Sequence, residues 1–257
     1  MERILLSKQV PIITGDPFAT LCGCGAFYNC PKDPEGKRLG KLVVYAKKYE
    51  PPGGGKELNM VGDVYANIAM VEENPHVLAY FAGLVAKQIV GAELDFTAVV
   101  GAPMGGVQFS GALGRELDCR VIYAEKEVTE VGSTGSREKS TLVFGRHKIR
   151  KGDKVLIVED ICNNFSTTMQ LIELIRLAGG EVVGIVCVLN RSSFESEWTG
   201  DQGRIVLPVF SGVHREMPQY TQENEEVATD VQAGNIEFHV KPKWDELMDS
   251  MRKAAQT

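Results

Sequence analysis

The sequence predicts an α/β domain with a mainly parallel sheet flanked by helices. Three observations carry that expectation. Phe96–Val100, Lys154–Val158 and Val182–Leu189 are short, nearly continuous apolar runs of the kind buried on both faces of a parallel sheet. The first two run into small or polar turns followed by segments of helical period. Strand and helix then alternate, which implies right-handed crossovers.

Taken in order, Lys41–Ala46 reads as a short strand inside an irregular, glycine- and proline-rich opening section of residues 1–60. From His76 to Val90 the apolar positions Val77, Leu78, Phe81, Leu84, Val85 and Ile89 share one helical face, with Pro75 in the first turn. Phe96–Val100 is a strand that stops at Gly101–Gly106, and a helix is expected over about Gln108–Glu116. Arg120–Ala124 is the next strand. Residues 129–147, rich in Gly, Ser, Thr and charge, read as a mobile loop, long for a compact domain. Lys154–Val158 is a buried strand, and a helix from about Thr167 to Leu177 stops at Gly179 and Gly180. Val182–Leu189 is a further buried strand. In the tail, Trp244, Leu247, Met248 and Met251 lie on one helical face, as in a packing helix. These elements divide the chain into 1–60, a core of 61–215, and a tail of 216–257.

The 257 residues suffice for one large domain with a small appendage. The formal charge of −6 argues against a nucleic-acid partner, which rewards a basic face. Positive charge is concentrated in Arg137, Lys139, Arg146, Lys148, Arg150, Lys151 and Lys154, where a phosphorylated ligand would find it. No run approaches the roughly 20 apolar residues of a membrane helix. The opening residues lack a signal peptide's apolar stretch, so a soluble, cytoplasmic protein is expected. Cys22, Cys24 and Cys30 are close in sequence, but no second cluster completes a zinc set, and free thiols in a loop are expected. Gly55-Lys56 lacks the Ser or Thr and the preceding strand of a nucleotide-binding loop.

The strongest signal is Val155–Thr168. Two acids, Glu159 and Asp160, end a buried strand, and a small polar loop then opens a helix. Ligands of open parallel sheets bind beyond the carboxyl ends of the strands. A helix start offers free N–H groups and the positive dipole end to a phosphate. Ser166, Thr167 and Thr168 add hydroxyls; Glu159 and Asp160 suit sugar hydroxyls or a share in holding Mg²⁺. Plain helix capping accounts for the hydroxyls. It leaves the two acids unexplained.

This segment resembles the ribose-phosphate signature of type I phosphoribosyltransferases: an apolar strand, two acids, two variable residues, two threonine-like residues, glycine, a small residue, and Ser or Thr. The resemblance covers roughly residues 60–215. It implies that Glu159 and Asp160 contact the ribose hydroxyls of phosphoribosyl pyrophosphate, and that the loop Asn163, Asn164, Phe165, Ser166 and Thr167 receives its 5′-phosphate. Asn163 and Asn164 stand where threonines are usual and Phe165 where glycine is usual. Because glycine there permits positive φ, which Phe adopts poorly, Asn164 is expected to take the left-handed conformation. Val99–Val107 resembles the pyrophosphate loop, with Ala102, Pro103, Met104 and Gly105 at its centre and glycines that let amides converge on an anion; on its residues alone it is equally an ordinary tight turn.

Tyr123–Glu127 resembles a segment of the orotate phosphoribosyltransferases that usually reads Arg-Lys-Glu. Lys126 keeps the lysine; Glu125 replaces the arginine, and Thr129 and Val131 occupy the later cationic positions. Lys126, Arg137 and Lys139 are therefore the implied catalytic cations, with His147 a further candidate; each is equally readable as part of a solvated charged loop. Arg191, at a strand end, corresponds to the arginine that meets a base's carboxylate, or is a surface residue. Phe27 and Tyr28, in a hood-like opening section, are candidates for stacking on the base.

The resemblance implies a Mg²⁺-dependent transfer of ribose 5-phosphate to a nitrogenous base, orotate foremost, by a homodimer in which the 129–147 loop closes over the site and excludes water. Mg²⁺, if held by the protein directly, would fall to Asp160. Two other readings stay open: a non-catalytic sensor of phosphoribosyl pyrophosphate or nucleotide on the same fold, and a transferase acting on a purine or other base.

Overall fold

The computed structural model describes residues 13–130 and 139–255. The first elements are α1 (Pro17–Gly23), β1 (Phe27–Asn29), β2 (Leu42–Tyr49), β3 (Leu58–Gly62), β4 (Val64–Ala66) and the single turn α2 (Ala69–Glu72). Next come α3 (Pro75–Gly91), β5 (Ala98–Gly101), α4 (Gly105–Glu116), β6 (Arg120–Tyr123), β7 (Glu125–Glu130) and β8 (Lys139–Val143). Then follow β9 (Lys154–Cys162), α5 (Ser166–Leu177), β10 (Glu181–Asn190), β11 (Glu197–Gly200) and β12 (Ile205–His214). The order ends with α6 (Ala228–Gln232), β13 (Ile236–Glu237) and α7 (Trp244–Ala254).

The chain forms two units. One comprises Met1–Phe18 with Val71–Glu216, the other Ala19–Met70 with Met217–Thr257. The first is built on a six-stranded sheet in the order β11-β12-β10-β9-β5-β6. Every neighbouring pair in it is parallel except β11 with β12. The α/β expectation holds, and the apolar runs are its central strands.

Helices cover both faces because successive strand side chains alternate. Ala98, Val100, Val155 and Ile157 cluster with Leu171 and Ile175 of α5, whereas Val99 faces Gly114 of α4. α3 begins where the sequence says it should: Asn74 caps it by accepting from the Val77 N–H, and Pro75 opens the first turn. Of its predicted face, Val77, Leu78, Phe81, Val85 and Ile89 are buried and Leu84 is half-buried.

Three expectations are corrected. The 129–147 segment is in part a hairpin, since β7 pairs antiparallel with β8 in a ladder from Glu125↔Val143 to Glu130↔Lys139. Its strands carry charged and polar residues, so the alternation that marks a half-buried strand is missing from the sequence. Residues 131–138 lie outside the described residues. Second, the opening section and the tail are not separate appendages. β13 adds to β2 in parallel, with Ile236 opposite Leu42. Trp244, Leu247 and Met248 of α7 bury their apolar face against Tyr28, Val43 and Tyr45, and Trp244 Nε1 donates to the Gly25 carbonyl at 3.0 Å. Residues 61–70 join the same unit, because β3 and β4 are antiparallel partners of β2 and β1.

Third, Phe27 and Tyr28 are not available to stack on a base. Both are buried core residues of the second unit, and the Tyr28 hydroxyl donates to the Lys41 carbonyl at 2.9 Å. An aromatic in a short strand of a small unit is more useful as core than as a platform. No helix of the described residues is long and apolar enough to cross a membrane.

Candidate functional site

The site is built where neighbouring strands have unequal lengths. β5 stops at Gly101, opposite Val158 of β9. β9 runs on through Glu159, Asp160 and Ile161 to Cys162, paired there only with β10. The two acids thus project beyond the end of β5, beside the turn that leads into α4. This is the carboxyl edge of the sheet, where ligands of such folds bind.

Glycine shapes that turn. A side chain at Gly105 would place its Cβ 2.3 Å from the Asp160 carboxyl, and one at Gly106 would come within 2.0 Å of the Val158 carbonyl oxygen. The glycines therefore let the start of α4 lie against the end of β9, bringing the Asp160 carboxylate to a helix amino end that favours negative charge. Asp160 Oδ1 also accepts from the Ile161 N–H at 2.9 Å. Ala102 donates its amide to Val158 O at 2.8 Å and accepts from Gly106 at 3.0 Å, locking the turn. The Pro103–Met104 peptide is cis, and the Met104 side chain is 83% exposed.

Glu159 is half-buried. Burial, reinforced by the Asp160 charge and opposed by Lys126, pushes its carboxyl up to about 8. At neutral pH it is largely protonated, and so carries an O–H donor as well as an acceptor. Lys126, exposed on β7, is near enough to Glu159 for its charge to oppose that shift.

The loop after β9 resolves the question of its odd residue. Phe165 itself, not Asn164, takes the left-handed conformation, at φ 55° and ψ 22°. The expectation that Asn164 would do so fails because the Phe165 ring has a better place to go. It is 4% exposed, stacked on Trp198 at 5.0 Å between centroids and edge-on to Phe194 at 6.0 Å. Burial of a ring this size stabilises by roughly 2–3 kcal/mol, more than the roughly 1–2 kcal/mol of left-handed strain. With the ring turned into the core, the loop face stays open. Asn164, exposed, makes a local turn just ahead of α5: its Oδ1 accepts from the Ser166 amide at 3.2 Å and hydroxyl at 3.0 Å. Asn163 and Thr167 are partly exposed beside it.

Other predicted residues fare differently. Arg191 begins the turn after β10, its amide donating to Cys162 O at 2.9 Å. Lys139 opens β8, its backbone paired with Glu130. Arg137 lies outside the described residues. Glu125 pairs with Arg146 at 3.1 Å. His147 packs edge-on against Tyr123 at 4.4 Å. Among the described residues, no group of three or more His, Cys, Asp or Glu is arranged to hold a metal ion. Sequence reasoning passed over Asn190, Phe194 and Trp198; the only available signal was a polar residue ending the apolar run of β10.

A profile of the phosphoribosyl transferase domain matches residues 67–213. The chain is 29% identical over 153 residues to the orotate phosphoribosyltransferase of Caldanaerobacter subterraneus subsp. tengcongensis, covering 59% of this chain and 72% of that protein. It is 30% identical over 129 residues to the orotate phosphoribosyltransferase of Caldicellulosiruptor bescii, covering 50% of this chain and 61% of that protein. Among solved structures, the orotate phosphoribosyltransferase from Aeropyrum pernix aligns with a TM-score of 0.44 and 18% identity over 66% of this chain and 87% of that one.

Proposed function

The chain belongs to the phosphoribosyl transferase domain family, and from that premise we propose that it transfers ribose 5-phosphate from phosphoribosyl pyrophosphate to a nitrogenous base, with orotate as the acceptor. The reading rests on one observation above all: β9 overhangs β5 with two acids, directly before a helix start whose bulky residue is turned away into the core. The curated relatives named as orotate phosphoribosyltransferases support the choice of acceptor.

Glu159 and Asp160 bind the ribose hydroxyls, orienting the sugar with its anomeric carbon toward the α4 turn. The amino end of α5, with Asn163, Asn164, Ser166 and Thr167, receives the 5′-phosphate; Phe165 contributes its backbone there. The turn of Ala102, Pro103, Met104 and Gly105 receives the pyrophosphate. Lys126 meets charge that builds on the leaving group, and Arg137 and Lys139 extend that role. Arg191 takes the acceptor's carboxylate as a two-pronged partner. The C–O bond to pyrophosphate breaks with its electron pair leaving on the pyrophosphate, while a ring nitrogen of the base supplies the new pair to the anomeric carbon and sheds its proton. Stabilising separated charge is the main demand on the protein.

Two neighbouring acids, in no larger ligand cluster among the described residues, fit Mg²⁺ as this chemistry uses it, since that ion takes one or two carboxylates and completes its shell with phosphate oxygens and water. Asp160 is the better ligand, because Glu159 holds its proton to about pH 8. When bound, Mg²⁺ neutralises pyrophosphate charge. We take the active form to be a homodimer, in which the cations of the 129–147 segment serve the neighbouring subunit's site, as the family resemblance implies.

The test is a spectrophotometric assay of orotate consumption with phosphoribosyl pyrophosphate and Mg²⁺. Wild-type protein turns over; Asp160→Asn removes most of the rate, and Lys126→Ala and Arg137→Ala with Lys139→Ala each reduce it. Calorimetric binding without pyrophosphate release identifies a sensor, and release with a purine but not orotate replaces the acceptor. Either result overturns this assignment.

A further inference from the structure

Asn190, the last residue of β10, is fully buried. A buried side-chain amide is tolerated only when its donors and acceptor lone pairs are matched, and here all four positions are used. Nδ2 donates to the Phe194 carbonyl at 2.5 Å and to the Glu195 carbonyl at 3.3 Å. Oδ1 accepts from the Ser192 hydroxyl at 2.7 Å and its amide at 3.1 Å. The Ser192 hydroxyl accepts in turn from the Phe194 amide at 3.1 Å. The Asn190 side chain thus ties Ser192, Phe194 and Glu195 together, and His214 Nε2, 3.0 Å from the Ser192 carbonyl, holds the same turn from β12.

That turn meets the end of β9 and the loop that follows it. The Arg191 amide binds the Cys162 carbonyl, and the Phe194 ring meets the Phe165 ring edge-on. Phe165 is the residue at φ 55° immediately before α5, and a non-glycine residue keeps that conformation only when its surroundings over-determine it. Its ring stacks on Trp198 and meets Phe194 edge-on, within a cluster that also holds Cys162, Ile185, Cys187, Leu207 and Val209. Phe194 is placed in turn by the Asn190 amide, the shorter of the two contacts to its carbonyl, together with the Ser192 hydroxyl that Asn190 itself holds.

We propose that Asn190 is a positioning residue for the phosphate-receiving loop, acting through the Phe194 carbonyl and the Phe194–Phe165 ring contact on the conformation from which α5 starts. The proposal rests on the phosphate reading of that loop given above. It assigns to Asn190 no contact with ligand. Loss of its amide leaves the Phe194 and Glu195 carbonyls seeking new partners, releases the Phe194 ring, and lets Phe165 leave the left-handed region, tilting the first turn of α5.

The probe is ribose 5-phosphate, titrated calorimetrically, with the KM for phosphoribosyl pyrophosphate and kcat measured alongside and folding checked by circular dichroism. Asn190→Ala is expected to weaken ribose 5-phosphate about tenfold, the low end for outer-shell partners of a bound ion, and to raise KM while changing kcat little. Phe194→Ala, which keeps the carbonyl but removes the ring, should have a similar effect, and the double variant should be no weaker than the worse single, since the two act in series. In a Phe165→Gly background the Asn190→Ala effect should vanish, because glycine holds positive φ unaided. Unchanged affinity in folded Asn190→Ala, or additive losses in the double, overturns the proposal. If Asn190→Ala does not fold, Phe194→Ala with unchanged affinity overturns it as well. Wild-type protein that fails to bind ribose 5-phosphate refutes the phosphate site itself, whereas normal wild-type binding with unperturbed variants refutes only the positioning role.

Discussion

Replacing Phe165 separates two opposed contributions to one residue. Its ring is 4% exposed and stacked on Trp198, so Phe165→Ala removes a buried aromatic and should destabilise by about 3–4 kcal/mol. Alanine keeps the left-handed strain, which for a residue with a Cβ is roughly 1–2 kcal/mol. Phe165→Gly loses the same ring but sheds that strain, and glycine is also a better helix N-cap residue than alanine. Gly should therefore be more stable than Ala here by about 1 kcal/mol, the reverse of their order within a helix, where glycine is worse by about the same amount. Urea titration followed by circular dichroism, with equal slopes for the two variants, measures the difference. Should Ala match or exceed Gly, or should both lie within about 1 kcal/mol of wild type, the account of how Phe165 occupies this position is wrong.

Other perturbations test other parts of the framework. Glu159 holds its proton to about 8 against an ordinary value of 4.5, so the native state binds that proton more tightly than the unfolded chain does. Its contribution to stability is complete below the ordinary value and is lost as pH rises toward 8; Glu159→Gln, which stays neutral, should gain on wild type across that window, by at most about 5 kcal/mol at about 1.4 kcal/mol per unit. Thermal melts in a pH series decide it, and a gap that stays constant refutes the shift. Asp153, 6% exposed, accepts two bonds from Arg120 at 2.9 Å and one from Thr97; Asp153→Ala should cost about 3 kcal/mol in urea unfolding, because it strands a partly buried guanidinium. In the second unit Arg38 bridges Asp63 and Asp230 with its side chain 8% exposed. Arg38→Ala should lower the stability of that unit by about 3 kcal/mol, read from hydrogen exchange of β2 and β3 amides, and unaltered exchange excludes the bridge as a clasp.

What the sequence revealed of the fold follows from the range of the interactions involved. β5, β9 and β10 are apolar almost throughout, and α3 carries its own cap and its own apolar face, so each declares itself within a short window. The pairing of β13 with β2 joins residues nearly two hundred positions apart through two bridge pairs, and nothing local in Ile236–Glu237 distinguishes a strand. The β7–β8 hairpin was hidden for a different reason. Glu125, Lys126, Glu127 and Val128 show no burial pattern, and on β8 the single residue Leu142 enters the core cluster, too little for an alternation to be read.

At the candidate site the sequence exposed the two candidate acids but not the residues packed around the loop. Glu159 and Asp160 are recognisable because two acids at the end of a buried strand are costly without a task. Phe165 looked like an obstruction, since its sequence position implies only that a bulky residue replaces one able to take positive φ. The structure reverses that implication: the ring is the device that holds the positive φ, provided that Trp198 and Phe194 are there to receive it. Glycine reaches this backbone conformation by freedom and Phe165 by anchorage, so the same turn before α5 arises from opposite causes. An anchored turn is already ordered before an anion arrives and loses less entropy on binding than a glycine turn does. It is also hostage to its anchors, which is why phosphate affinity at this loop, on the proposed reading, should respond to the fully buried Asn190.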